Sequence, residues 1–183
     1  MKTIIKALSA DILMIRAKES NSLSDIFYII HPRVIPVFLM RVANLFSRYH
    51  LGILGKIVAF TNQILFGCDI ARNAKIDGGL YLPHPMGVVV GEHAVIGKNC
   101  ILHQGVTLGD RGECHKGSDP VLQDYVEIGT GAKILGSINI GRYARVGANS
   151  VVLKDVVDFG VAVGLPAKTI SIRDDKEELE TRS

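Results

Sequence analysis

Residues 122–153 read LQDYVE IGTGAK ILGSIN IGRYAR VGANSV VL, and one pattern returns in them every six residues. Each block of six begins with an apolar residue, from Leu122 to Val152. A step of six residues holds two inward side chains and one turn, so three steps close one triangular coil. The residue four positions after each apolar residue is small or β-branched: Val126, Ala132, Ile138, Ala144 and Ser150. The stretch therefore predicts a mainly β structure, a parallel β-helix of hexapeptide repeats.

The same six-residue step extends upstream in two further runs of apolar residues. An isolated coil cannot bury its own apolar face, so we expect the core to form where the coils stack. A β-sandwich would instead need alternation every two residues and repeated hairpin turns, for which Asp77-Gly78 is the only good candidate. The upstream positions are Ile70, Ile76 and Leu82, then Val90, Ile96, Leu102 and Leu108.

The register slips at two places, and each slip predicts a loop that leaves the regular wall. The first contains residues 83–87, PHPMG, and the second contains residues 110–120, DRGECHKGSDP. Loops that protrude from a rigid scaffold are frequent positions of binding and catalytic residues. We therefore look for the functional site near these two segments.

The chain ahead of the repeats has the apolar spacing of helices, with breaks at Ser20-Asn21-Ser22, at His31-Pro32 and at residues 50–52. We expect three or four helices, of which one covers about 3–18, one about 37–48 and one about 53–65. The predicted organisation is a helical segment over 1–66, a β-helix domain over 67–170 and a charged tail over 171–183.

Composition excludes several classes of function. The formal net charge is only +3 and the basic residues are scattered, so nothing supports nucleic-acid binding. Three cysteines without paired spacing fit a reducing compartment, and we expect a cytoplasmic protein. No signal-peptide pattern is found at the N-terminus.

Two apolar stretches, residues 34–46 and 51–66, raise the question of a membrane. Arg41 interrupts the first and Lys56 the second, so neither reaches the roughly 18 to 20 apolar residues of a membrane span. We expect burial against the β-helix or a sister subunit, with contact to a bilayer surface as the alternative.

Several segments together resemble the serine acetyltransferase family, a branch of the hexapeptide-repeat acyltransferases. The spacing of fifteen residues between Asp69 and His84 is the most specific of these features. The matching segments are ADI at 10–12, DIA at 69–71, GVVVGE at 87–92, QGVTLG at 104–109, IGTGAKILG at 128–136, GANSVVL at 147–153 and GLPAK at 164–168.

This resemblance implies a left-handed parallel β-helix, a homotrimer, and acetyl-CoA bound in the groove between neighbouring β-helices. It also implies transfer of an acetyl group to L-serine, which yields O-acetylserine and CoA in cysteine biosynthesis. Acetyl-CoA would be a co-substrate, and no metal is expected.

Acetyl transfer to an alcohol gives His84 a clear task. A hydroxyl is a weak nucleophile at neutral pH, and an imidazole within hydrogen-bond reach can act as its general base. A carboxylate on the other ring nitrogen fixes the tautomer and stabilises the imidazolium. Asp69 lies nearly one coil before His84, so we expect the two side chains to meet as the catalytic pair.

The resemblance also implies a coenzyme site. Gly109, Thr130 and Ala148 match family positions whose backbone meets the pantetheine arm, and Lys168 lies where a cation can face the phosphates.

The acceptor site departs from the family pattern. The family carries an acidic residue before the catalytic histidine, where this chain has Pro83, and Arg-His-Pro where this chain has Ser118-Asp119-Pro120. Glu19 retains in kind a serine-binding carboxylate of the family. We therefore expect Glu19, with Asp119 or Arg111 as compensating groups, to bind the acceptor.

The ends of the chain bear on its assembly. The helical segment is short, so we expect a trimer rather than a hexamer. The tail lacks the terminal isoleucine with which family members enter cysteine synthase, so we expect no such complex.

Other functions remain open at this stage. The changed acceptor positions also suit an O-acetyltransferase acting on a sugar hydroxyl, and a third possibility is a non-catalytic scaffold. Cys114 beside His115 is a candidate thiol nucleophile, and His103 is a candidate donor to an oxyanion. The γ-class carbonic anhydrases bind zinc on the same scaffold, but their close histidine pair does not occur here.

Overall fold

The computed structural model describes residues 2–19, 31–112 and 119–173. In the described part of the chain, three helices precede the repeats: α1 (Lys2–Glu19), α2 (Ile35–Arg48) and α3 (Gly52–Phe66). The three predicted helices are therefore confirmed, with small shifts at their ends. Pro36 lies in the first turn of α2, where its missing N–H costs nothing. Gly67 ends α3 in the left-handed conformation and donates its N–H to the Gln63 carbonyl.

After Gly67 the described chain consists of short strands joined by turns. Most have two or three residues, which is what a hexad leaves for the wall of a coil. They are β1 (Asp69–Ile70), β2 (Lys75–Ile76), β3 (Val89–Val90), β4 (Val95–Ile96), β5 (Ile101–Leu102), β6 (Thr107–Gly109), β7 (Val121–Leu122), β8 (Glu127–Ile128), β9 (Lys133–Leu135), β10 (Asn139–Ile140), β11 (Arg145–Val146), β12 (Val151–Val152), β13 (Gly160–Gly164) and β14 (Ala167–Ile172).

These strands form three sheets, and each sheet is one wall of the coil. Their orders are β1-β3-β6-β9-β12, β2-β4-β7-β10 and β5-β8-β11-β13-β14. All pairings are parallel except β13 with β14, which form an antiparallel hairpin. Lys133 pairs with Val151, eighteen residues or three hexads later. The predicted parallel coil of hexapeptide repeats behind an N-terminal helical part is confirmed.

The core lies inside the coil, as the repeat predicts. The apolar residue that begins each hexad is buried in every case except Ile76, which is half-buried and packs against the core. Leu102, Ile134 and Ile140 are completely buried. Burial of each such side chain contributes roughly 1.5–3 kcal/mol, so stacking of coils is the main source of stability.

One corner of the coil carries a column of aromatic residues in the left-handed backbone conformation. Tyr125, Tyr143 and Phe159 have φ values of 62°, 56° and 59°. Their rings stack, with centroids 4.7 Å apart for the first pair and 5.0 Å for the second. Stacking offsets the strain that a side chain meets at positive φ.

A buried ion pair joins the helices to the first coil. The Asp11 carboxylate on α1 is completely buried and accepts hydrogen bonds from Arg41 on α2. It also accepts from the backbone N–H groups of Gly79 and Leu80. Burial raises the pKa of the Asp11 carboxyl, and the hydrogen bonds oppose that shift. Arg41, which the sequence shows only as an interruption of an apolar stretch, is a central contact of the fold.

The last strand extends beyond the predicted end of the β-helix at residue 170, because β14 continues to Ile172. The division into 1–66, 67–170 and 171–183 stays a prediction. Of the helices in the described part of the chain, none is both long and apolar enough for a membrane span.

Candidate active site

His84 lies in the first predicted loop, which is anchored at one corner of the coil. Gly87 turns the chain at φ 73° and donates its N–H to the Gly67 carbonyl at 2.7 Å. A Cβ on Gly87 would lie 3.3 Å from the Gly105 Cα, so the turn is closely stacked on the next coil. The His84 side chain is exposed beside this fixed turn.

Asp69 lies at the same corner. It begins β1, is exposed, and donates its backbone N–H to the Val88 carbonyl at 2.8 Å. Two backbone hydrogen bonds, at Gly87 and at Val88, therefore join the end of the His84 turn to the segment that carries Asp69. Over the described residues, the structure records no hydrogen bond between the Asp69 carboxylate and the His84 ring, and the catalytic pair stays a prediction.

A cleft of about 290 Å³ opens beside Asp69, between α3 and the first two coils. We call it the Asp69 cleft. Its charged lining residues are Lys56 from α3, Asp69 and Arg72 from the first coil, and Glu92 from the second. The cleft therefore presents both signs of charge next to a predicted catalytic residue.

A second cavity, of about 480 Å³, lies at the far end of the coil, and we call it the Lys168 cavity. Arg111, Lys154 and Lys168 all line it, and its floor includes Val152 and other apolar side chains. Asp155 also lines the cavity, and its Oδ1 accepts from the Asn139 N–H at 2.8 Å. Three cations to one carboxylate around an apolar floor suit a ligand that carries phosphate groups.

Gly136 allows Arg111 to lie against the coil. Its φ is 94°, and a Cβ built there would lie 2.5 Å from the Arg111 Cδ. Arg111 and Lys168, which the sequence assigns to different substrates, are thus brought to one cavity.

The other predicted coenzyme residues lie at one corner and on one wall of the coil. Thr130 and Ala148 occupy successive coils at the corner of the His84 turn, where the Thr130 carbonyl accepts from the Asn149 N–H at 2.7 Å. The Gly109 carbonyl accepts from the Gly136 N–H at 2.9 Å, and the space around the Gly109 Cα is open. These three residues do not line the Lys168 cavity.

Asp119 has a clear structural contact. Its Oδ2 accepts from the backbone N–H of His93 at 2.8 Å, across adjacent coils. The same arrangement recurs where Asp124 accepts from the Lys98 N–H. The predicted contact of Asp119 with an acceptor stays a prediction.

Other candidates lie at the edge of what the structure describes, or outside it. Glu19 is the last residue of α1, and its side chain lies outside the described part. Cys114 and His115, the alternative nucleophile and its base, and Ser118 also lie outside the described residues.

His103 is engaged on the outer wall of the coil. Its Nε2 lies 3.4 Å from Oε1 of Glu127, which also pairs with Arg145 at 3.4 Å. Within residues 2–19, 31–112 and 119–173, no group of three histidine, cysteine, aspartate or glutamate side chains is placed to hold a metal ion.

Comparison with known proteins agrees with this architecture. A family model described as the hexapeptide repeat of succinyl-transferase matches residues 87–111. The serine acetyltransferase of Synechococcus elongatus is 34% identical over 168 residues, which are 91% of this chain and 69% of that protein. The serine acetyltransferase of Bacillus pumilus is 40% identical over 134 residues, 73% of this chain and 62% of that protein. The chain thus spans less than two thirds of the Bacillus protein.

Solved structures give the same result. Soybean serine acetyltransferase complexed with serine superposes with a TM-score of 0.86 at 36% identity, covering 93% of this chain and 70% of that one. The Brucella abortus enzyme in complex with coenzyme A superposes with a TM-score of 0.86 at 30% identity, covering 92% and 68%.

The coil, its hexads and these similarities define a hexapeptide-repeat acyltransferase. Within that class, the chain belongs to the serine acetyltransferase family.

The Asp69 cleft and the Lys168 cavity each contain a lysine, Lys56 and Lys154, that the sequence analysis did not select as a site residue. Lys56 reads in the sequence as an interruption of an apolar stretch, and that interruption is the only signal it gives. Lys154 follows the last buried hexad residues and carries no signal of its own. Glu92 belongs to a segment that matches the family, but its place in the cleft requires the fold.

Proposed function

We propose that this chain is a serine O-acetyltransferase, which transfers the acetyl group of acetyl-CoA to the hydroxyl of L-serine. One observation carries the proposal: the chain superposes over more than nine tenths of its length on family members solved with serine and with coenzyme A. It also keeps Asp69 and His84 on segments that are hydrogen-bonded to each other.

His84 is the general base of the proposed reaction. Its ring takes the proton from the serine hydroxyl as that oxygen attacks the thioester carbonyl of acetyl-CoA. The tetrahedral adduct collapses, the bond from carbon to sulfur breaks, and the thiolate of CoA receives the proton from the imidazolium. The products are O-acetylserine and CoA, and the enzyme returns to its starting protonation state.

Asp69 orients His84 and stabilises the imidazolium that forms. The anchored turn at Gly87 supports this role because it holds the His84 loop against the segment that begins with Gly67.

The Lys168 cavity is the proposed site of the coenzyme's phosphates. Arg111, Lys154 and Lys168 supply three cationic groups that can donate to phosphate oxygens. The sequence assigns Arg111 to the acceptor, and its place beside Lys168 favours the coenzyme instead. Gly109, Thr130 and Ala148 stay proposed contacts of the pantetheine arm.

The remaining expectations form part of this proposal. Glu19 and Asp119 are proposed contacts of the acceptor. We also infer a left-handed coil and a cytoplasmic homotrimer that binds acetyl-CoA between neighbouring β-helices.

The test is the release of free thiol from acetyl-CoA, followed with a thiol reagent, in the presence of L-serine or of a panel of sugars. Wild-type protein should turn over L-serine fastest, and His84→Ala should lower kcat roughly 100- to 10,000-fold. His93→Ala, at an exposed histidine on the next coil, is the matched control. Faster turnover of a sugar would establish the alternative that Pro83 and Asp119 favour, and full activity of His84→Ala would refute the mechanism.

A further inference from the structure

We propose that Lys56 binds a carboxylate of the hydroxyl acceptor in the Asp69 cleft, and so selects an anionic acceptor over a neutral one. This inference rests on the proposed function and adds to it a residue that determines specificity. It starts from the position of Lys56 on α3, directly across the cleft from the first coil.

One face of α3 forms a wall of the cleft. Lys56, Phe60 and Gln63 follow each other at spacings of four and three residues, so they share one side of the helix. All three line the cleft. A different face of the same helix carries Asn62, which does not line the cleft; its buried side-chain amide donates to the Pro36 carbonyl at 3.0 Å. That buried contact fixes α3 against α2.

Two of the other three charged groups that line the cleft, Arg72 and Glu92, each have one recorded hydrogen bond. Arg72 donates from Nη1 to the Gly52 carbonyl at 3.0 Å, and Glu92 accepts from the Asn73 amide at 2.5 Å. Within the described residues, no carboxylate forms an ion pair with Lys56. Lys56 thus has donors available for a ligand, whereas Nη1 of Arg72 is bound to Gly52, the first residue of α3.

The charges of the cleft are complementary to those of an amino acid. Lys56 can donate to a carboxylate, and the Glu92 carboxylate can accept from an ammonium group. The acceptor would then lie beside Asp69, the proposed orienting group of His84; Asp69 lines the cleft, and His84 itself does not. The chain has Pro83, Ser118 and Asp119 at positions where the family has charged residues, and Lys56 supplies a cation from a different element.

The test compares two acceptors that differ only in charge. L-serinamide keeps the hydroxyl and the amine of L-serine but lacks the carboxylate. Lys56→Met should raise KM for L-serine roughly 10- to 100-fold, the loss expected for a hydrogen bond between charged groups, with KM for acetyl-CoA unchanged. The kcat/KM for L-serinamide should stay unchanged, and Lys56→Arg should restore part of the preference for L-serine.

Lys75→Met is the matched control, because Lys75 is an exposed lysine on β2 that does not line the cleft. If Lys56→Met kept the wild-type ratio of kcat/KM for L-serine and L-serinamide, the inference would be overturned while the proposed function stood. If wild-type protein released no CoA with L-serine, the proposed function itself would fail, and this inference with it.

Discussion

The guanidinium of Arg41 donates to both carboxylate oxygens of Asp11, at 3.0 and 3.1 Å, although thirty positions separate the two residues. Arg41 also donates to the carbonyls of Ile76 and Asp77 at the turn after β2. The pair thus connects α1, α2 and the first coil through groups that are almost fully removed from water.

Removal of one partner should therefore be costly. Arg41→Met leaves the Asp11 carboxylate buried with only the N–H groups of Gly79 and Leu80, and should lower the free energy of unfolding by about 3–5 kcal/mol. Urea unfolding followed by circular dichroism measures this loss. The control is Arg142→Met, because Arg142 pairs with Asp124 at 3.6 Å while its side chain is 61% exposed. That variant should lose less than about 1 kcal/mol, and equal losses in the two variants would contradict the role given to Arg41.

The coil could be predicted from the sequence because burial follows the period of six. Leu102 and Ile134 are completely buried because each begins a hexad, so their burial can be predicted without knowing which residues they contact. Arg41 has no such signal. Its partner Asp11 lies on another helix, and the pairing of two charged residues depends on how the helices pack on the coil.

The candidate site also contains residues that the sequence could select and contacts that only the fold shows. His84 could be selected from the sequence because a break in the repeat marks its loop. The meeting of Arg111 with Lys168 could not, since it depends on which coils are neighbours at the end of the molecule. The contact of Asp119 also depends on the fold. Its carboxylate accepts from the His93 N–H on the adjacent coil, and the sequence does not show which N–H group is its partner.

The aromatic column predicts an unusual order of stabilities at Tyr143. Its ring stacks on Tyr125 and Phe159, and its φ is 56°. Tyr143→Ala loses both stacks, each worth about 0.5–1.5 kcal/mol, and keeps the strained backbone. Tyr143→Gly loses the same stacks but relieves roughly 1 kcal/mol of strain. Thermal unfolding should place wild type highest, then the glycine variant, then the alanine variant. A Tm for alanine equal to or above that for glycine would show that the backbone strain is negligible.

The Lys168 cavity predicts a defect that depends on the nucleotide part of the coenzyme. Lys168→Gln and Lys154→Gln should each raise KM for acetyl-CoA about tenfold, because each removes a charge-assisted hydrogen bond to a phosphate. With acetyl-pantetheine, which lacks the nucleotide and its phosphates, the same variants should behave as wild type. Steady-state kinetics with the two donors measure the difference, with Lys75→Gln as the control. An equal loss with both donors would place the phosphates elsewhere.

Cys68 predicts a dependence of stability on alkaline pH. Burial raises the pKa of its thiol from 9.0 to about 11, with a smaller contribution from the charge of Asp69. Above pH 9 the unfolded thiol ionises while the folded thiol stays neutral, so the unfolded state is favoured progressively until about pH 11. The contribution is fully present below pH 9. Urea unfolding between pH 8 and 11 should show a steeper loss of stability for wild type than for Cys68→Ala. Parallel profiles would mean that the thiol ionises alike in both states.

Asp69→Asn tests whether the hydrogen-bonded segments of Gly67 and Gly87 support a catalytic pair. The amide keeps the size of the side chain but cannot stabilise the imidazolium, so kcat with L-serine should fall roughly 100- to 10,000-fold. KM for acetyl-CoA should change little, because Asp69 does not line the Lys168 cavity. Asp77→Asn, at an exposed aspartate of the same coil, is the control, and circular dichroism checks that both variants fold. If Asp69→Asn kept kcat within about twofold of wild type while His84→Ala was inactive, His84 would act as a base without a carboxylate partner. Stabilisation of the imidazolium would then have to come from solvent or from the substrate itself.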